Sequence, residues 1–136
     1  MRSVLVIEDD AIIGMALEEC LVDNGYEVCG VARTAGEAIA IAEEKKPELA
    51  VVDVRLRTGD GIEVARKLER DHRTAVLFAT GNREEVLKQT AVGVACLSKP
   101  FQPSWVGKAL KLVEQIATGQ KLNGLVPPYL RLIQRG

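Results

Sequence analysis

The stretch Val4-Leu5-Val6-Ile7-Glu8-Asp9-Asp10 joins four β-favouring apolar residues to three consecutive acids. So short an apolar run, without polar alternation, reads as a strand covered on both faces. The acids fall where that strand ends. Asp10 then opens a helical stretch with Ile13, Leu17, Cys20 and Leu21 on one face. Asn24-Gly25 stops the helix, glycine being free to take left-handed backbone.

Downstream the alternation repeats. Residues 26–32 read as a second strand, and Thr34 with Glu37 three residues later forms a capping-box pattern for a helix over 35–45. Pro47 breaks the chain before residues 49–54, a third strand, apolar at nearly every position, that carries Asp53. A turn-rich loop, Thr58-Gly59-Asp60-Gly61, leads into a helix over 62–71. Residues 75–79 and 94–98 read as the fourth and fifth strands, with Asn82 capping a short helix to about Ala91 between them. A last helix is expected over 103–118, proline suiting its first turn, with Val106, Leu110, Val113 and Ile116/Ala117 facing inward. Strands alternating with helices imply an α/β fold, a doubly wound five-stranded parallel sheet with helices on both faces. Residues 119–136 are too short for a second domain; packing as an arm or a loose terminus is equally compatible with their pattern.

Composition narrows the class. Hydrophobic residues at 47% suffice for a core, which argues against disorder, and a net charge of -1 supplies no basic field for nucleic acid or anionic membrane. Cys20, Cys29 and Cys96 are widely spaced without a Cys-x-x-Cys pair, and His72 is the only histidine. Neither a disulfide framework nor a zinc site is expected. The opening apolar run is too short for a signal peptide, and nothing approaches the roughly 20 apolar residues of a membrane span. The expectation is a soluble, cytoplasmic protein.

In such sheets, ligands bind beyond the carboxyl ends of the strands. Glu8, Asp9 and Asp10 follow the first strand, Asp53 ends the third, Thr80 follows the fourth and Lys99-Pro100 the fifth. Any one of these alone is an ordinary cap or turn residue; the set, each after a different strand, is the signal. Two carboxylates about 4 Å apart repel by roughly 4 kcal/mol at an effective dielectric near 20. A hard divalent cation with oxygen ligands, Mg²⁺ or Mn²⁺, answers that repulsion. A carboxylate beside a metal, a lysine and a hydroxyl is equipped for phosphoryl transfer, Asp53 attacking and Lys99 and Thr80 binding phosphoryl oxygens.

These residues, with Gly61-Ile62-Glu63-Val64 and Lys99-Pro100-Phe101, resemble the CheY-like receiver domain of bacterial two-component response regulators over residues 3–118. The resemblance implies a flavodoxin-like three-layer α/β/α fold with strand order 2-1-3-4-5. It implies a receiver over 1–118 and a C-terminal extension over 119–136. It assigns Glu8 and Asp9 to the metal, joined by Asp53 and the backbone carbonyl of Arg55. Asp53 is the phosphoacceptor, Thr80 the switch hydroxyl and Lys99 the phosphate-binding lysine, with Lys99-Pro100 typically cis. The phosphoryl donor is a sensor histidine kinase or histidine phosphotransfer protein. Signalling then runs through protein contacts on the face of the fourth helix, fifth strand and fifth helix, near Trp105, with a homodimer left open.

Two departures bear on the read-out. Arg57 stands where proline is common, and Cys96 where the family usually carries a tyrosine or phenylalanine. Phe78-Ala79-Thr80-Gly81 is similar to the motif of the FATGUY receiver subgroup, whose members often lack that aromatic. Gly81 and Asn82 are therefore expected to share in the switch. The alternatives are a phosphorylation-independent pseudo-receiver, a phosphate sink, or an aspartyl-phosphate enzyme. For the last, Arg55 occupies the place where the well-known family has a second aspartate. No nucleotide-binding glycine loop is present.

Overall fold

The computed structural model describes residues 2–56, 59–81, 92–120 and 126–133. Its elements run β1 (Ser3–Ile7), α1 (Ala11–Asp23), β2 (Glu27–Ala32), α2 (Ala35–Lys45), β3 (Leu49–Asp53), β4 (Arg55–Leu56), β5 (Gly59–Asp60), α3 (Gly61–His72), β6 (Ala75–Thr80), β7 (Ala95–Ser98), α4 (Pro103–Ala117) and β8 (Leu130–Leu132). Arg57, Asn82 and the short helix expected over 82–91 lie outside the described residues.

The local signals act as read. The Asp10 carboxylate accepts from the amides of Ile12 and Ile13 at 2.9 and 3.0 Å, capping α1. Asn24 closes that helix and Gly25 follows at φ +89°. The Thr34 hydroxyl accepts from the Glu37 amide at 3.1 Å, while the Glu37 carboxylate reaches the Arg33 amide rather than that of Thr34 itself.

The main sheet has the order β2-β1-β3-β6-β7-β8. Its first five strands are parallel, in the expected 2-1-3-4-5 arrangement. The five-stranded expectation needs correcting at the edge, where β8 adds a sixth strand antiparallel to β7. Residues 130–132 thus pack on the chain's own domain. The loop after Asp53 also holds an unforeseen hairpin, Arg55 opposite Asp60 and Leu56 opposite Gly59.

Every residue of β3 and β6 is buried, as central parallel strands require. On one face, Leu17 and Leu21 of α1 meet Val106, Leu110 and Val113 of α4 over Val4, Val6, Val51 and Leu77. On the other, Ala38, Ala42, Ile62, Ala65 and Leu68 of α2 and α3 cover Leu5, Ile7, Val52 and Phe78. The molecule is a three-layer α/β/α sandwich of flavodoxin-like type. Among the described residues, no helix is long and apolar enough to cross a membrane.

Candidate functional site

Winding helices on both faces of a parallel sheet leaves the carboxyl ends of β1, β3, β6 and β7 facing one open edge. There the structure brings the expected side chains together. Carboxylate oxygens of Glu8, Asp9 and Asp53 all lie within 4.8 Å of one another. The Lys99 ammonium sits 3.3 Å from Asp53 Oδ2 and 3.4 Å from Glu8 Oε1. Thr80 ends β6, buried, and its carbonyl accepts from the Lys99 amide at 2.7 Å. Asp53, Arg55, Thr80, Gly81 and Lys99 line an open cleft of about 500 Å³, ample for a phosphoryl group. The Lys99-Pro100 peptide is cis, as the resemblance implies.

Negative charge predominates at the site. Glu8 is almost wholly enclosed; burial, then the adjacent Asp53 carboxylate, pushes it up to about 7. Burial opposes the charge on Lys99, but Asp53 and Glu8 together outweigh it and hold the ammonium above its ordinary value. Three carboxylates against one ammonium leave an excess of two negative charges when all are ionised, which a divalent cation neutralises. The all-oxygen donor set suits Mg²⁺ or Mn²⁺. The Arg55 amide donates to Asp53 Oδ1 at 3.2 Å, which orients the carboxylate and places the Arg55 carbonyl next in the chain.

Two features of the site escaped the reading of the sequence. The first is the contact made by Gly61, whose amide donates to the Val54 carbonyl at 2.8 Å. A Cβ there would lie 2.0 Å from the Asp53 carbonyl oxygen and 2.8 Å from Val54 Cα. Only glycine lets the start of α3 press on the backbone that carries Asp53. The available signal was the Asp60-Gly61 pair opening a helix, since Asp60 caps α3 through the Ile62 amide at 2.8 Å. The second is an apolar groove beside Lys99, lined by Ile12, Ile13, Ala16, Pro100, Phe101 and Pro103. Ile12 is 80% and Met15 68% exposed, although both lie on a helix.

Cys96 is fully buried on β7, in the layer that holds Phe78, Val92 and Ile133. Gly81 is exposed, with nothing within 4 Å of where a Cβ would stand. Trp105, in the first turn of α4, stacks on Tyr129 of the extension, ring centroids 4.4 Å apart and planes 13° from parallel.

A family model for the response regulator receiver domain matches residues 4–111. The chain belongs to the response regulator receiver family. The transcriptional regulatory protein PdtaR of Mycobacterium tuberculosis is 39% identical over 114 residues, covering 82% of this chain and 56% of that protein. The receiver therefore spans about half the length of that relative. The chemotaxis protein CheY of Thermotoga maritima is 30% identical over 118 residues, covering 84% of this chain and 98% of CheY. Among solved structures, the receiver domain of Erythrobacter litoralis PhyR superposes with a TM-score of 0.78 at 27% identity, covering 92% of this receiver and 96% of that one.

Proposed function

We propose that this receiver accepts a phosphoryl group on Asp53 from the phosphohistidine of a sensor kinase or phosphotransfer protein, and signals through protein contacts that the modification alters. The observation that carries this reading is Lys99 bridging Asp53 and Glu8 at 3.3 and 3.4 Å within a knot of three carboxylates. A structural ion pair would not need the further acid; a phosphoacceptor with its cation does. Glu8, Asp9, Asp53 and the Arg55 carbonyl are the residues that would hold Mg²⁺. Bound there, the ion offsets charge on the phosphoryl oxygens.

The transfer breaks the donor's N–P bond and forms a P–O bond to Asp53. The imidazole nitrogen keeps the electron pair and takes up a proton. Lys99 neutralises a phosphoryl oxygen, and the Thr80 hydroxyl donates to another once the group is seated. The apolar groove at Ile12, Ile13 and Phe101 gives a protein donor a surface to dock on beside the cleft. The modified aspartate carries about -1.5 to -2 charge, by analogy with phosphorylated side chains, and shifts an existing equilibrium between two shapes. With Cys96 too small to relay that shift as an aromatic ring would, the change passes through the backbone around Gly81 and β7.

The test is phosphorylation by acetyl phosphate with Mg²⁺, read by intact-protein mass spectrometry. One added phosphoryl mass is expected, absent in Asp53→Asn and in EDTA. An unmodified wild-type chain, with beryllofluoride and Mg²⁺ leaving its spectrum unchanged, would favour the pseudo-receiver instead.

A further inference from the structure

The edge of β7 is covered by the chain itself. β8 pairs with three of its four residues: Ala95 with Leu132, Cys96 with Arg131 and Leu97 with Leu130. The Ile133 amide adds a hydrogen bond to the Val94 carbonyl at 2.9 Å. Leu130 enters the apolar layer beneath α1 and α4, whereas Ile133 enters the opposite layer beside Phe78 and Cys96. Tyr129 closes the arrangement by stacking on Trp105. The segment is anchored, but by a short ladder, two buried side chains, the half-buried Leu132 and one ring stack. Elements held this way open locally at a free energy well below that of global unfolding.

The other end of this connection is the acidic site. Ser98 pairs with Thr80, and the next residue, Lys99, donates its amide to the Thr80 carbonyl at 2.7 Å and its ammonium to Asp53 and Glu8. A phosphoryl group on Asp53 would occupy the space that the ammonium now fills against the carboxylate. Lys99 must then withdraw while staying bonded to the new oxygens. Leu97, two residues back, is the last rung of the ladder with β8, so a backbone shift at Lys99 would meet the ladder there.

We propose that residues 129–133 form a releasable strap, docked on β7 while Asp53 is unmodified and freed when a phosphoryl group occupies the site. This rests on the phosphoacceptor reading above. Release bares the β7 edge and the face of Trp105 together, so one event changes both the hydrogen bonding and the apolar surface offered to a partner.

The test uses the whole chain titrated with beryllofluoride and Mg²⁺, with ¹⁹F NMR reporting occupancy of the site. Amide exchange at Ile133 and the emission of Trp105, the chain's single tryptophan, report the strap. Occupancy should make the Ile133 amide exchange roughly tenfold faster or more, with a change in Trp105 emission that is absent in Tyr129→Leu. Because coupling between two sites is reciprocal, Tyr129→Leu should also bind beryllofluoride several-fold more tightly. Bound beryllofluoride with unchanged or slower Ile133 exchange, or an unaltered affinity in Tyr129→Leu, overturns the strap and leaves the phosphoacceptor reading intact. Failure of beryllofluoride to bind overturns both.

Discussion

Gly61 and Asp53 are coupled by contact rather than by charge. With the Asp53 carbonyl 2.0 Å from where a Cβ would be, Gly61→Ala must move either the start of α3 or the end of β3. Neither is free to move, since Val54 and Ile62 are both buried. The expected loss is more than about 2 kcal/mol of unfolding free energy in a denaturant titration. Any folded fraction should bind beryllofluoride poorly, because the aspartate is then misplaced. Glu8 supplies a second prediction at this scale. Its folded value is about 7 against an ordinary 4.5. Between those values the unfolded chain has released a proton that the metal-free folded chain keeps, so stability falls as pH rises through that window and levels off above it. On the phosphoacceptor reading Mg²⁺ would displace that proton, so the rise in Tm on adding Mg²⁺ should be larger at pH 8 than at pH 5.5. Equal shifts in a thermal scan at the two values would contradict the burial of Glu8 as the governing effect.

At the scale of elements, α1 presents two apolar faces in different surroundings. Leu17 and Leu21 hold it on the sheet, while Ile12 and Met15 stand in solvent, Ile12 in the apolar groove beside Lys99. An apolar surface there has a cost in solubility that a docking role explains. Ile12→Asp should slow phosphorylation by any kinase able to modify the wild type by about tenfold, a loss of about 1.4 kcal/mol of docking energy. Phosphorylation by acetyl phosphate should be unchanged, since the small donor needs no docking surface. Time courses with the two donors separate these outcomes, and equal slowing by both would place the effect on the site rather than on the groove.

For the whole molecule, the fold was legible because two periods alternate along the chain and the apolar runs at β1, β3 and β6 are too continuous for anything but buried strands. The candidate site was legible for a related reason. A parallel sheet aligns its carboxyl ends, so Glu8, Asp53, Thr80 and Lys99 could be brought to one edge without knowing a single distance. What stayed hidden depends on contacts between distant segments. The Leu130-Arg131-Leu132 triplet is too short for a period to declare itself, and follows two prolines that point to a turn. Nothing local pairs Trp105 with Tyr129, or sets Gly61 against the Asp53 carbonyl.

The β8 strand has a consequence for how the protein behaves in concentrated solution. A sheet of this type has two ends, and an uncovered strand at either is a template for unwanted pairing between molecules. At one end, β8 replaces the buried run Ala95-Cys96-Leu97 with a triplet bearing an exposed arginine, Arg131. So short and charged a border is a poor template. Removing residues 126–136 should leave a folded receiver that self-associates as its concentration rises, whereas the intact chain shows no such trend, as light scattering across a dilution series would reveal.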